Sequence, residues 1–131
     1  MIRLLMAGLM VLMAGNANAY TNQDLYSLCK KFADSGFNTS TTEALICAGY
    51  FIGIRDAFGS MCTLYKSRYG TLGDGEKIVF EKFALKANPK TMTASVQHYV
   101  NKMEQTPENW QFHASKDVAD SLRVISPCQP E

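Results

Sequence analysis

Apolar residues recur along most of this chain at the three- and four-residue steps of a helix, and period-two alternation is almost absent. Leu25, Leu28, Cys29 and Phe32 stand at i, i+3, i+4 and i+7, which predicts a first helix with one apolar face. Thr21, with Asp24 three residues on, supplies a start signal, and Gly36 an end. Ser40 followed by Glu43 reads as a capping box that opens a second helix. That helix is expected to run through Ala44 to about Met61, with Cys47, Tyr50, Phe51, Ile54 and Phe58 on its face.

Gly59 and the polar stretch 63–75 then predict a break. Gly70, Gly73 and Gly75 crowd there around Thr71, Leu72 and Asp74, the one obvious loop. A third apolar segment, 76–87, aligns Val79, Phe80, Phe83, Ala84 and Ala87 on a helical face, although Ile78-Val79-Phe80 also suits a short strand. Asn88-Pro89 ends it, because a residue before proline is pushed out of the helical region. A fourth helix starts near Thr91 or Thr93 and carries Val96, Tyr99, Val100 and Met103. After Pro107 a last helix carries Phe112, Val118, Leu122 and Ile125 and stops at Pro127-Cys128. The expected fold is all-α, a compact bundle of about five short helices.

The N-terminus carries a different pattern. Arg3 precedes an uncharged run from Leu4 to Ala14, and Ala17-Asn18-Ala19 is a small-x-small cleavage site. Residues 1–19 therefore read as a secretory signal peptide, too short in its apolar part to span a bilayer. Cys is absent at position 20, so no lipid anchor is expected, and the mature domain is 20–131. The whole chain has 131 residues, one domain's worth, and 47% of them are hydrophobic, which excludes compositional disorder. A net charge of +1 offers neither the basic stripe of a nucleic-acid binder nor a polybasic membrane patch.

Export changes the reading of the cysteines. Cys29, Cys47, Cys62 and Cys128 make an even set, and in an oxidising compartment such a set predicts two disulfides. Their residue spacing leaves all three pairings open. Zinc is disfavoured because no C-x-x-C pair occurs, so neither a metal nor another cofactor is expected. A catalytic thiolate would need an unpaired Cys beside His98 or His113, for example Cys62 with His98.

The second helix holds a distinctive stripe, C-x-x-Y-x-x-G-x-x-D, formed by Cys47, Tyr50, Gly53 and Asp56. Its simplest meaning is helix packing. Cys47 reaches a neighbour, Tyr50 buries its ring, and Gly53, near Gly49, permits close approach of another backbone. Asp56 would end the stripe with a hydrogen bond, or pair with Arg55. No second carboxylate or His stands nearby in sequence to exchange protons with it, so no catalytic residue is expected.

This stripe resembles that of the Rap/Tai family of type VI secretion immunity proteins. Other pieces agree in order: the signal peptide, Leu25-Tyr-Ser-Leu28-Cys29, Pro89, the Thr-led segment Thr91 to Met103 with Tyr99-Val100, Pro107, Ala114 to Ile125, and Pro127-Cys128. Many relatives place a Cys directly before the Pro that opens the fourth segment. Here Asn88 stands there and the nearest Cys is Cys62, so 63–87 is extra length similar to that of the amidase-immunity branch. The resemblance implies the pairs Cys29–Cys47 and Cys62–Cys128. It also implies a non-enzymatic, dimeric, periplasmic protein that blocks the cleft of a peptidoglycan amidase of the NlpC/P60 type. The Gly-rich loop supplies the expected effector contacts, Tyr65, Arg68, Tyr69, Leu72 and Asp74, residue types among which Tyr and Arg are enriched at hot spots. The turn from Gln105 to His113 is a second candidate, with Trp110 expected to cover the core. A small disulfide-bonded periplasmic chaperone or stress protein is the alternative from another class.

Overall fold

A computed structural model describes residues 19–129. The predicted signal peptide, but for Ala19, lies outside the described residues. Among the described residues five α-helices follow one another: α1 (Asn22–Asp34), α2 (Thr42–Arg68), α3 (Asp74–Phe83), α4 (Met92–Gln105) and α5 (Ala114–Ile125). Short 3-10 turns follow α2 and precede α4 and α5.

The α1 start is the expected one. Thr21 Oγ1 accepts from the Asp24 N–H, and the Asp24 carboxylate accepts from the Thr21 N–H. The helix ends at Asp34, and Gly36 (φ +69°) and Phe37 (φ 61°) turn the chain through the left-handed region. Phe37, the non-glycine residue of this pair, is held there by its N–H bond to the Phe32 carbonyl (3.0 Å) and by an edge-on ring contact with Phe32.

The capping residue of α2 differs from expectation by one position. Thr41, not Ser40, accepts from the Ala44 N–H at 3.1 Å. Asn38 Oδ1 holds the Ser40 N–H in the preceding turn at 3.0 Å, which leaves Ser40 outside the helix. Glu43 sits in the first turn, where a backbone N–H and then Lys31 hold its carboxyl below the usual carboxylate range.

The expected break at Met61 does not occur. α2 continues through Gly59 and ends at Arg68. Phe58, Cys62 and Tyr65 carry the apolar spacing onward at i, i+4 and i+7, and burial of Cys62 and Tyr65 outweighs the roughly 1 kcal/mol that a mid-helix glycine costs. Gly59 is also the place where close approach is real: a Cβ there would lie 2.7 Å from the Ala87 Cβ. At 27 residues α2 is about 40 Å long, roughly twice α1, α4 or α5. By length and composition it passes for a membrane span, but disulfides at Cys47 and Cys62 tie it to α1 and to the C-terminal segment.

The segment 76–87 is helical only to Phe83, not a strand; beyond it the chain is extended, and Leu85 pairs with Pro127. α4 buries Val96, Tyr99, Val100 and Met103 as its spacing predicts. On α5 the core positions are Ala114, Val118 and Leu122, whereas Phe112 lies in the preceding turn and is exposed.

α1, the first half of α2, α4 and α5 pack into a bundle, and α3 lies mainly on the second half of α2. The bundle core joins Leu25, Phe32, Phe51, Tyr99 and Leu122, with Phe51 and Tyr99 in edge-to-face contact. Cys29–Cys47 crosses this core (Cα–Cα 5.2 Å), and Cys62–Cys128 ties the C-terminus to α2 (Cα–Cα 5.6 Å). These are the pairs the resemblance implies, and they suit an oxidising compartment.

A buried polar knot closes the bundle. Asn22 Nδ2 donates to Asp117 Oδ2 (2.7 Å) and to the Asn109 carbonyl (2.9 Å), while the Tyr99 hydroxyl donates to Asn22 Oδ1 (3.0 Å). Lys102 pairs with the other Asp117 oxygen at 2.6 Å. Burial, then the Asp117 charge, drives the Tyr99 pKa far above the tyrosine range. The backbone around Asn22 is pinned as well: the Asn22 N–H donates to the Phe112 carbonyl, the Gln23 N–H to the Trp110 carbonyl and the Ala114 N–H to the Tyr20 carbonyl.

Candidate functional site: the α2–α3 arm

The second half of α2 turns back at residues 69–73 into α3, forming a helical hairpin. Gly73 stands at the α3 N-cap, and the Glu76 carboxylate accepts from its N–H at 2.9 Å. Acidic Asp74 and Glu76 in this first turn suit the positive end of the helix dipole. One side of the hairpin is glued by aromatic rings. Tyr65 stacks on Phe80 (centroids 5.4 Å apart, planes 10°) and meets Tyr69 edge-on. The Tyr65 hydroxyl donates to Glu81 at 3.2 Å, and burial with this carboxylate nearby raises its pKa.

Tyr65 is therefore not the loop contact expected of it. It is helical and fully buried, because the loop is shorter than 63–75 and the ring seats α3 on α2. Arg68, Tyr69, Leu72 and Asp74 do come together at the tip. Arg68 ends α2 and is exposed, Tyr69 is at the edge of exposure with Lys77 Nζ 4.7 Å from its ring centroid, Leu72 is half-buried, and Asp74 opens α3 in solvent.

Sequence reasoning missed the flank of the arm. Within α3 no residue is fully buried, and Ile78, Val79 and Phe83 are 64%, 49% and 44% exposed. Of the face that the spacing predicts, Val79, Phe80, Phe83, Ala84 and Ala87, only Phe80 and the post-helical Ala84 turn inward, whereas Val79, Phe83 and Ala87 are exposed.

The α2 stripe divides. Cys47 is buried in its disulfide and Tyr50 is half-buried, its pKa raised by burial and partly offset by Ser115. Gly53 and Gly49 are exposed, and a Cβ on either would meet nothing within 4 Å, so neither makes room for a neighbour within this chain. Asp56 is exposed and pairs with Arg55 at 2.9 Å. Trp110 covers the core, stacking on Tyr26 and donating from Nε1 to the Met103 carbonyl at 2.8 Å.

Cys62 is bonded to Cys128 and His98 Nδ1 pairs with Ser121 Oγ at 3.1 Å, so the thiol that a Cys62–His98 hydrolase requires is not free. Among the described residues no three His, Cys, Asp or Glu side chains are grouped to hold a metal ion. The chain matches no protein-family model, and neither a curated protein nor a solved structure shows significant similarity to it.

Proposed function

We propose that this chain is a periplasmic immunity protein of the Rap/Tai type that binds a secreted peptidoglycan amidase and occludes its catalytic cleft. The observation that carries this reading is the arm: a hairpin with Ile78, Val79 and Phe83 uncovered along α3 and Arg68, Tyr69 and Asp74 at its tip. A stoichiometric inhibitor works by presenting a rigid protrusion to a cleft, and rigidity lowers the ordering cost of binding. Here Cys62–Cys128 anchors the base of the protrusion and the Tyr65–Phe80 stack stiffens its length. The mix of apolar flank and Tyr/Arg tip matches the composition of interface cores. Two disulfides and an N-terminal export pattern agree with action in the periplasm.

The same reading includes a homodimer. α2 leaves a face with Leu45 and Ile52 exposed beside Gly49 and Gly53, which a second copy's helix could approach closely.

The test is titration of an NlpC/P60-type amidase encoded beside this gene with chain 20–131, following peptide cleavage. Activity falls linearly to zero near one equivalent on this account. Full activity at excess inhibitor, with no complex in gel filtration, rejects it.

A further inference from the structure

A groove of about 520 Å3 runs between α2, the C-terminal turn of α3 and α5. One wall is aromatic: Phe58 and Phe83 stack with centroids 6.5 Å apart and planes 18° apart. The rim is cationic. Lys82, Lys116 and Arg123 line it against one carboxylate, Asp120. That carboxylate is already engaged, by Lys116 at 3.1 Å and Arg123 at 3.3 Å, with Lys102 at 3.7 Å from α4. Arg123 is fixed in advance, since Nη1 donates to the Lys82 carbonyl at 2.6 Å. Lys82 Nζ lies 5.6 Å from the Phe83 ring centroid, so a positive charge borders the apolar wall.

This pattern discriminates among occupants. A wholly apolar guest would desolvate the rim without compensation, and a cationic one would be repelled. A phosphate chain would make no use of the ring wall. An anionic guest carrying one large apolar side chain satisfies both surfaces, and the volume falls in the range of small-ligand sites.

We propose that the groove binds an acidic segment of a partner protein, with one aromatic or large aliphatic side chain seated against Phe58 and Phe83 and flanking carboxylates paired with Lys82, Lys116 and Arg123. The site deepens the binding reading above by adding a second contact at the base of the arm. It rests on that reading only for the partner's identity.

The probe is a capped Glu-Phe-Glu tripeptide, titrated into 15N-labelled chain 20–131 and followed by amide shifts. Capped Lys-Phe-Lys and Glu-Ser-Glu serve as controls. Expected are saturable shifts confined to residues 58, 82–83 and 115–123, with a dissociation constant on the order of 1 mM. Both controls bind about tenfold more weakly or not at all, as does the acidic peptide to the Lys82→Glu/Lys116→Glu protein. That protein keeps its spectrum elsewhere, because both lysines are exposed. Absence of shifts in the groove, equal binding of Lys-Phe-Lys, or an undiminished response in the double variant overturns the proposal. No amidase enters this titration, so its failure and a failure of inhibition are separate results.

Discussion

The four-helix bundle and the α2–α3 arm are built from helices of the same amphipathic kind, yet they end in opposite states. α4 inserts Val96, Tyr99, Val100 and Met103 between other elements and leaves none of them in water. α3 has similar apolar content but lies mainly on α2, so Ile78, Val79 and Phe83 stay uncovered. The bundle is closed by a core disulfide and by the Asn22–Asp117–Tyr99 knot. The arm is held by an aromatic stack, a glycine contact and a peripheral disulfide. The difference teaches that apolar periodicity reports a helix's capacity for burial, and that the number of neighbours decides whether the capacity is spent on folding or left for a partner.

The sharpest break in this comparison comes from the cysteines. Replacing Cys29 and Cys47 by Ala should lower global stability by about 2–5 kcal/mol in urea unfolding, since both the crosslink and core volume are lost. Replacing Cys62 and Cys128 also destabilises. Its distinguishing signature is faster hydrogen exchange across α3 than across α4, because the arm loses its anchor. Equal exchange in the two helices would erase the distinction between the regions.

Asn22→Ala comes next. It leaves one Asp117 oxygen and the Asn109 carbonyl without the Asn22 amide and the Tyr99 hydroxyl with only the residue-22 backbone carbonyl, 3.2 Å away, at a cost of about 1–3 kcal/mol by denaturant titration. Gly59→Ala is smaller and more diagnostic. Alanine is the better helix former, yet its Cβ would meet Ala87 at 2.7 Å, so a net loss of about 1 kcal/mol is expected. Adding Ala87→Gly should turn that loss into a gain; no rescue would mean that Gly59 is not where the extended segment closes on α2.

Much of the bundle was legible in the chain. The faces of α1 and α4 and the Thr21–Asp24 cap follow from local spacing, which long-range packing merely accepts. The arm was less so. Phe58, Cys62 and Tyr65 continue the α2 pattern, but Gly59 and the polar residues between them look like a break until the partner ring, Phe80, is known. Glycines misled for the same reason. Gly53 and Gly59 are equivalent as letters, and only the path of Ala87 in space distinguishes the open one from the crowded one. The disulfide pairs came from resemblance, because spacing alone permits three pairings. The groove was invisible, since Phe58, Lys82 and Arg123 meet only through the tertiary fold.

The central claim is that the uncovered flank of α3 serves binding and not folding. The direct measurement pairs thermal unfolding with amidase titration for the Ile78→Ser/Val79→Ser protein. Ile78 is 64% and Val79 49% exposed, so stability should change by no more than about 1 kcal/mol per site. Inhibition should weaken by about tenfold or more, the loss of two apolar anchors. Unchanged inhibition, or a large fall in stability, would contradict the account.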